Sequence, residues 1–436
     1  PLPTGMTDVI REQNGLYTVV LRGRENGQNV FRPRVVTCVT DALNPYEEWQ
    51  KYLGLAKIDT LRLIISNTTE AGIVYTGGDA FSDAPPASYP GKLTRFLFER
   101  FSLGKKGLIL MPCELIDDNG KKLRETVLKT AAQWALGDAF IRWIEEENIF
   151  CSTLVDRIVT GFPRAEKDAL YDKIGYTDKL LDVAEPFGLW VIEAPKAVRE
   201  ELPLDACNPV LYTDDVKPYK LRKVRMLNGA HTTMVLASYL IGLQTVGECM
   251  KDEDVRAFLG HALVDEIMPN VPLPRDEVHQ FAADVCARFE NPFNRHELLS
   301  IALNSVSKWA ARVLPTLEDY VKANGRAPRC LCFGLSALIM FYANCKKGAD
   351  GAWRGAVNGE EYPVRDDEEA LIAFSRLSPD MPPESLAYAV LSDQTLWGRD
   401  LRGIPTLEDT VTNQLRDMQL LGVRAAMRKT WSDDHA

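Results

Sequence analysis

The stretch Leu61-Arg-Leu-Ile-Ile-Ser-Asn-Thr-Thr-Glu-Ala-Gly72 decides the fold class of the first half of the chain. Its first six residues form a short apolar run with β-branched side chains, which is typical of a buried strand. The polar residues Asn67, Thr68 and Glu70 follow at the carboxyl end of that strand, where parallel α/β sheets bind their ligands. Such residues also form ordinary turns at strand ends, so both interpretations stay open at this point.

Strand-like and helix-like stretches alternate on both sides of this one. Short runs rich in β-branched residues predict strands at 17–21, 34–39, 61–66 and 107–111. Apolar residues that recur every three or four positions predict helices at 45–53, 92–101 and 122–147. Because strand and helix alternate, we expect an α/β domain with a parallel sheet over residues 1–215.

The pattern changes after a Pro-containing stretch at 202–218. From there long periodic segments dominate, and Pro, Gly and Asn separate them. We therefore expect a second, helical domain over residues 216–436, with a boundary somewhere in 200–218. The predicted helices cover residues 219–243, 253–267, 276–289, 295–313, 329–343, 367–376, 384–392 and 406–428.

Composition excludes several classes of protein. The 436 residues carry 61 acidic and 51 basic side chains, a net charge of −10, and this argues against nucleic acid as a partner. Because the sequence has neither a long apolar run nor a signal-peptide pattern, we predict no membrane association. Nine cysteines without disulfide or zinc spacing favour a cytoplasmic protein. The motifs of P-loop, zinc-protease, α/β-hydrolase and thioredoxin-like proteins are absent.

The stretch Lys220-Leu-Arg-Lys-Val-Arg-Met-Leu-Asn-Gly-Ala-His-Thr232 leads into an apolar helix. At about 100° per residue, Lys223, Asn228 and His231 fall within one arc of about 140°. An amine that exchanges a proton, an amide that donates to an oxyanion and an imidazole that orients the oxygen suit carbinol–carbonyl interconversion. A solvated basic turn is the alternative. The apolar helix that follows favours the first interpretation, because buried polar groups must be bonded or used.

Other stretches carry candidates with equally open alternatives. Asp156 is adjacent to Arg157, so the two point in different directions and one of them is expected to be internal. The basic residues that follow Asn291-Pro292 do not share one helical stripe, and they could equally be solvated; they are Arg295, His296, Lys308 and Arg312. Asn119 lies in a turn that could simply cap the next helix.

Six motifs together resemble the long-chain mannitol dehydrogenase family, and they span nearly the whole chain. They are Ser66-Asn-Thr-Thr-Glu-Ala-Gly72, Pro112-Cys-Glu-Leu-Ile116, Cys151-Ser-Thr-Leu-Val-Asp-Arg-Ile-Val-Thr-Gly161, Lys217-Pro-Tyr-Lys220, Leu227-Asn-Gly-Ala-His-Thr232 and Leu298-Leu-Ser-Ile-Ala-Leu-Asn304. The resemblance is strongest to the members of this family that act on keto sugar acids.

This resemblance implies a nucleotide-binding Rossmann-type domain, a helical catalytic domain and an active site between them. It also implies NAD-dependent reduction of the keto sugar acid tagaturonate to altronate, a step of galacturonate breakdown, without a metal ion. Reduction of fructuronate or oxidation of a mannitol-type polyol is the alternative activity. A protein that binds a sugar acid or a nucleotide without catalysis is the alternative from another class.

The family's catalytic lysine, asparagine and histidine correspond to Lys223, Asn228 and His231, and its substrate-side aspartate corresponds to Asp156. A substrate carboxylate needs a cation, for which we choose Arg295 with Lys308 assisting and His296 beside them. The cofactor-side candidates are Asn67, Thr68, Glu70 and Asn119.

The sequence departs from the family pattern in two places. Mannitol-type relatives have Cys-Asp-Asn where this chain has Cys113-Glu-Leu115, so a second oxyanion amide is missing there and Asn119 is the possible substitute. The Gly-rich nucleotide loop is also absent from the sequence. We therefore expect that the chain lacks the first βαβ portion of the Rossmann-type domain, including the strand end that distinguishes NAD from NADP.

Overall fold

A computed structural model describes residues 5–25, 27–343, 345–357 and 359–432 of the chain. Its contacts divide the chain into two compact units. Unit 1 comprises Pro1–Gly23 and Gln28–Tyr219, and unit 2 comprises Arg24–Gly27 and Lys220–Ala436. Among the described residues, no helix combines the length and the apolar character that crossing a membrane requires.

Unit 1 is an α/β structure. Its strands are β1 (Tyr17–Glu25), β2 (Gln28–Val36), β3 (Leu63–Ser66), β4 (Ile109–Pro112), β5 (Ile149–Phe150), β6 (Ser152–Asp156), β7 (Val159–Gly161), β8 (Asp182–Ala184), β9 (Leu189–Glu193) and β10 (Val210–Thr213). Its helices are α1 (Thr7–Glu12), α2 (Trp49–Gly54), α3 (Tyr89–Ser102), α4 (Asn119–Gln133), α5 (Asp138–Glu147), α6 (Lys167–Ile174) and α7 (Lys196–Glu201). Single 3₁₀ turns lie at Leu55–Lys57, Glu70–Ile73 and Leu204–Ala206.

The strands of unit 1 form three small sheets. The first sheet has the strand order β3-β4-β5, and all its neighbouring strands are parallel. Helices α3, α4 and α5 pack on this sheet around an apolar core that includes Leu97, Leu110 and Val127. The second sheet, β10-β9-β6, has an antiparallel pair at β9-β6, and the third, β2-β1-β8-β7, has one at β8-β7. The expectation of a parallel sheet therefore holds for β3-β4-β5 and not for the other two sheets, and the α/β class is confirmed.

Unit 2 is mainly helical. α8 (Lys217–Arg222) enters it, and a π-helix at Lys223–Gly229 and then α9 (Ala230–Leu240) follow. The later helices are α10 (Val246–Cys249), α11 (Glu253–His261), a π-helix at Ala262–Ile267, a 3₁₀ turn at Met268–Asn270, α12 (Arg275–Phe289), α13 (Leu298–Ile301), α14 (Ser305–Arg312), α15 (Leu314–Asn324), α16 (Arg329–Tyr342), α17 (Glu368–Phe374), α18 (Pro383–Leu391), α19 (Gln394–Trp397), α20 (Leu407–Leu421) and α21 (Val423–Ser432). A small antiparallel sheet of β11 (Lys346–Lys347), β12 (Trp353–Val357) and β13 (Glu360–Pro363) was not expected.

Several predicted elements have different bounds in the structure. The strand expected at 34–39 both begins and ends earlier in the structure, where β2 covers Gln28–Val36. The helix expected at 122–147 is two helices, and the break contains Ala135 and Gly137, both with positive φ. The helix expected at 295–313 is also interrupted, since Asn304 has φ 54° between α13 and α14. Backbone in the left-handed region cannot continue a right-handed helix.

Candidate active site

Lys223 and Asn228 lie on the π-helix Lys223–Gly229, which runs without a break from α8 into α9. In a π-helix the backbone hydrogen bonds join residues five apart, so Lys223 and Asn228 are separated by about one turn. In an α-helix the same two residues would point about 140° apart. The π-helix therefore brings both side chains, each half-buried, closer to one face than α-helical periodicity predicts.

His231 follows in the first turn of α9, where its side chain is buried. Burial lowers its pKa well below the ordinary value, and the nearby His296, Arg288 and Arg312 lower it further. The imidazole is therefore neutral at physiological pH. Its Nε2 atom is buried and has no hydrogen-bond partner among the described residues. A buried polar atom left unbonded is a feature that a bound substrate oxygen would satisfy.

Besides burial, two cationic side chains of α14 act on the histidines: Arg312 lowers the pKa of His231, and Lys308 lowers the pKa of His296. A Cβ atom placed on Gly229 would lie 3.2 Å from the carbonyl oxygen of Arg312, so α14 packs closely against the end of the π-helix. Burial lowers the pKa of Lys308, and Arg312 lowers it further. The Lys308 ammonium donates to the carbonyl oxygen of Ile301 at 2.9 Å. Within the described part of the chain, no ion pair or hydrogen bond engages the half-buried Arg312 guanidinium.

The arginines that flank Lys223 are not solvated. Arg222 is buried, with its guanidinium 4.3 Å from the centroid of the Phe281 ring. Arg225 is also buried, and it donates to the carboxylate of Asp319 at 2.6 Å. The structure therefore does not support the alternative interpretation of this stretch as a solvated basic turn.

Arg295 occupies a different environment from the one we expected. Its side chain is 79% exposed, and its Nε donates to the Glu297 carboxylate at 2.6 Å. The adjacent His296 is half-buried and meets the His231 ring edge-to-face, with ring centroids 5.4 Å apart. Of the predicted substrate-side cations in unit 2, Lys308 thus lies with the histidines, whereas Arg295 is at the surface and already paired.

A second polar cluster lies at the carboxyl ends of β3 and β4 in unit 1. Glu114 is buried, and its carboxylate accepts from Ser66 Oγ at 3.1 Å and from Thr68 Oγ1 at 2.8 Å. It also accepts from the backbone N–H of Thr68 at 2.9 Å. Thr68 is thus held by Glu114, while the neighbouring Asn67 is exposed. The side chain of Glu70, the third candidate here, lies outside the described residues.

Asn119 is part of the framework of unit 1. The residue is buried, its Nδ2 donates to the carbonyl oxygens of Pro112, Glu114 and Thr153, and its Oδ1 accepts from the backbone N–H of Thr153. This network ties β4 to β6, so the amide is not available as the ligand-binding or oxyanion group that we expected. Asp156 ends β6 and is buried.

Sequence reasoning missed two residues of these clusters. Phe289, at the end of α12, stacks on the His231 ring, and nothing in its own stretch indicates that contact. Glu114 organises the end of β3, but its position in the sequence shows only a departure from the family pattern. Arg312 was noticed in the sequence as a basic residue on the same predicted helix as Lys308, but it was not chosen as a substrate-binding residue.

Family models and relatives agree on one family. The model described as "Mannitol dehydrogenase Rossmann domain" matches residues 2–206, and "Mannitol dehydrogenase C-terminal domain" matches residues 215–419. The chain is 46% identical over 438 residues to an altronate oxidoreductase of Yersinia enterocolitica, covering 98% of this chain and 88% of that protein. It is also 46% identical over 439 residues to an altronate oxidoreductase of Shigella flexneri, covering 98% and 89%.

Two solved structures share the fold at low identity. The ternary complex of Pseudomonas fluorescens mannitol 2-dehydrogenase with NAD and D-mannitol superposes with a TM-score of 0.68 and 21% identity, over 97% of this chain and 84% of that one. A substrate-free D-sorbitol dehydrogenase gives a TM-score of 0.78 and 22% identity, over 97% and 85%. These similarities confirm the expected pairing of a Rossmann-type domain with a helical domain.

Proposed function

The chain belongs to the mannitol dehydrogenase family of nicotinamide-dependent oxidoreductases that act on CH–OH groups, and from this premise we propose that it reduces tagaturonate to altronate with NADH. The observation that carries the proposal is the 46% identity, over nearly the whole chain, to relatives named altronate oxidoreductase. NAD is our choice of cofactor because the solved mannitol 2-dehydrogenase holds NAD.

The surface of unit 1 at the carboxyl ends of β3 and β4 fits a nicotinamide nucleotide. Ile65, on β3, has 51% of its surface exposed, and Leu115, just after β4, has 45% exposed. Exposed Asn67 follows Ile65 by two residues, so apolar and polar surface adjoin at the carboxyl end of the strand. Such a surface fits the flat nicotinamide ring and its polar ribose. We propose that Asn67 and Thr68 contact the cofactor.

Proton transfer is the step that we assign to Lys223. In reduction its ammonium donates a proton to the substrate carbonyl oxygen, and in oxidation the neutral amine removes the hydroxyl proton. A nicotinamide bound beside them would supply or accept the hydride. Asn228 donates a hydrogen bond to the same oxygen as negative charge develops on it. His231, which is neutral, hydrogen-bonds and orients the oxygen through Nε2 without adding charge.

The carboxylate of the keto sugar acid requires a cationic partner, and we now assign it to Arg312 with Lys308. A guanidinium can bind a carboxylate through two parallel hydrogen bonds, which a single ammonium cannot do. Arg312 lies close enough to His231 to lower the histidine pKa, and its guanidinium pairs with no protein group among the described residues. Arg295 is a poorer choice because Glu297 already binds it. Asp156 stays our candidate for the substrate hydroxyls.

Substrate preference tests the proposal directly. NADH oxidation should be fastest with tagaturonate when the purified protein is assayed with tagaturonate, fructuronate and the corresponding neutral ketoses. Lys223→Met serves as the control that removes the proton donor and leaves the backbone unchanged. Faster turnover of fructuronate or of a neutral ketose would show that this compound, and not tagaturonate, is the substrate. Equal turnover with NADPH would overturn the choice of NAD.

A further inference from the structure

The His231 ring is held by aromatic contacts. Neither ring nitrogen has a hydrogen-bond partner among the described residues, and Nε2 is fully enclosed. The Phe289 ring stacks on the imidazole with centroids 4.0 Å apart and planes 13° from parallel. The His296 ring stands almost perpendicular to the imidazole, with an interplanar angle of 89°.

A functional histidine usually has its ring oriented by a hydrogen bond that one ring N–H donates, often to a carboxylate or a backbone carbonyl. Within the described part of the chain, the charged or titratable groups that act on the His231 pKa include no carboxylate: they are His296 before α13, Arg288 on α12 and Arg312 on α14. All three disfavour the imidazolium, and none supplies the usual acceptor. The orientation of the ring must therefore come from packing.

Phe289 is well placed to supply that orientation. It is the last residue of the 15-residue helix α12, and its side chain is only 4% exposed. A stacked planar ring allows the imidazole to turn in its own plane but opposes tilting, and the edge contact with His296 restricts the remaining freedom. Together the two rings leave the buried Nε2 atom pointing in a fixed direction.

We propose that Phe289 is a positioning residue, whose stacked ring fixes the plane of the neutral His231 imidazole for its hydrogen bond to the substrate oxygen. The inference rests on the proposed function for the identity of that oxygen. The geometry itself concerns only unit 2 and holds for any CH–OH substrate of the enzyme.

Phe289→Leu tests this role because it keeps apolar volume and removes the flat ring. We expect kcat to fall about 10- to 100-fold, since a small misplacement of a reacting group has an effect of this size, while KM for NADH stays unchanged. The acidic limb of the pH profile should also move towards neutral pH, because a loosened imidazole becomes hydrated and easier to protonate. Phe289→Tyr, which keeps the ring, should restore both properties.

Phe258→Leu is the matched control. Phe258 is fully buried in the same unit and packs against Phe333, with ring centroids 5.6 Å apart. Its substitution should lower Tm without changing kcat or the pH profile. The proposal is overturned if Phe289→Leu behaves in the same way. Should Phe289→Leu fail to fold, Phe289→Met, which is flexible and non-aromatic, provides the same comparison.

A readout that needs no substrate separates this inference from the proposed function. The chain has five histidines, so their imidazole NMR signals can be resolved, and His231→Asn identifies the one of interest. The His231 signal should not titrate near neutral pH in the native protein and should titrate there in Phe289→Leu. An unchanged signal in Phe289→Leu would refute the positioning role, whichever sugar the enzyme reduces.

Discussion

At the scale of single residues, Lys223 is the position whose replacement tests the chemistry most directly. Lys223→Met keeps a long unbranched side chain but cannot carry a proton. We expect kcat to fall by about 10² to 10⁴, the usual share of general acid–base catalysis, and the pH dependence of altronate oxidation to become flat. Steady-state kinetics over a range of pH measures both effects, and near-normal kcat would exclude Lys223 from proton transfer.

Asn228 should behave differently, because it stabilises charge and moves no proton. Asn228→Ala is expected to lower kcat by about 10² to 10³ and to leave the shape of the pH profile unchanged. Since Asn228 and Lys223 act on one developing charge, the double variant should lose less than the product of the two single losses. Fully multiplicative losses would show that the two side chains act on separate steps.

The choice of carboxylate partner is also tested at this scale. Arg312→Leu should raise KM for tagaturonate roughly 10- to 100-fold, because a hydrogen bond to a charged group is lost, and should change KM for a neutral ketose far less. Arg295→Leu is the matched control, since the Arg295 side chain is 79% exposed and paired with Glu297. A selective effect at Arg295 in place of Arg312 would return the role to our first candidate.

These residues show how far sequence reasoning reaches. Lys223, Asn228 and His231 could be chosen because their chemistry and spacing lie within one short stretch. Asn119 was chosen from its residue type and its place in a turn, but its amide is used by Thr153, 34 positions along the chain. Phe289 has no functional group at all, so only the packing of α12 against α9 reveals its contact with His231.

At the scale of elements, the π-helix Lys223–Gly229 is the feature that the apolar pattern could not predict. Periodicity showed a single helix over 219–243, because one extra residue per turn changes the register without interrupting the apolar run. Similarly, the breaks at Ala135 and Asn304 depend on positive φ values, which alanine does not indicate and asparagine indicates only weakly. The long helices were therefore predicted from their apolar pattern, but their internal geometry and the small sheet β11–β13 were not.

Deleting Val224 tests whether the π turn itself matters beyond the alignment of the two side chains. Loss of one residue from a π turn restores α-helical hydrogen bonding, and Lys223 and Asn228 then lie four positions apart, about 40° around the helix axis, so both stay on one face. We therefore expect the variant to keep its helical circular dichroism and most of its kcat. A loss of about 10²-fold or more in kcat, comparable with losing one catalytic group, would show that the π-helix itself is needed to align the two side chains.

At the scale of the whole molecule, the order of elements was predictable because alternating periods and a later run of helices are distributed along the entire sequence. The prediction of a parallel sheet does not extend to every strand, because β6 and β7 each run antiparallel to a neighbour. The sequence pattern alone does not encode strand direction. The family assignment also extends over the whole chain, since its two matched models cover residues 2–206 and 215–419.

The pH dependence of stability is a property of the whole molecule to which buried groups contribute with opposite signs. Burial lowers the pKa values of His231 and His296, so their contribution is present above the ordinary histidine pKa and is lost as the pH falls below it. Burial raises the pKa of Glu266 to about 7. Its contribution is therefore complete below the ordinary glutamate pKa and is lost as the pH rises through about 7.

Glu266→Gln isolates one of these contributions. The Glu266 carboxyl group accepts from the backbone N–H groups of Cys330 and Leu331, both at 2.8 Å, at the start of α16. A glutamine offers only one oxygen to these two donors, so we expect a loss of about 1 to 3 kcal/mol in the free energy of unfolding at about pH 5. The difference in the free energy of unfolding between the unsubstituted protein and the variant should become smaller towards about pH 8. At that pH only the unsubstituted protein must keep a buried charge, on Glu266.

Both histidines remain in the variant, so their contributions cancel in the difference between the two proteins. Glu384→Gln is the control. Glu384 is exposed, and its own backbone N–H and Arg416 lower its pKa. The loss of unfolding free energy in this variant should therefore not depend on pH in this range, and urea unfolding of the three proteins at each pH measures both losses. If the difference in unfolding free energy between the unsubstituted protein and Glu266→Gln stays constant from about pH 5 to about pH 8, Glu266 does not change its protonation in the folded protein in this range.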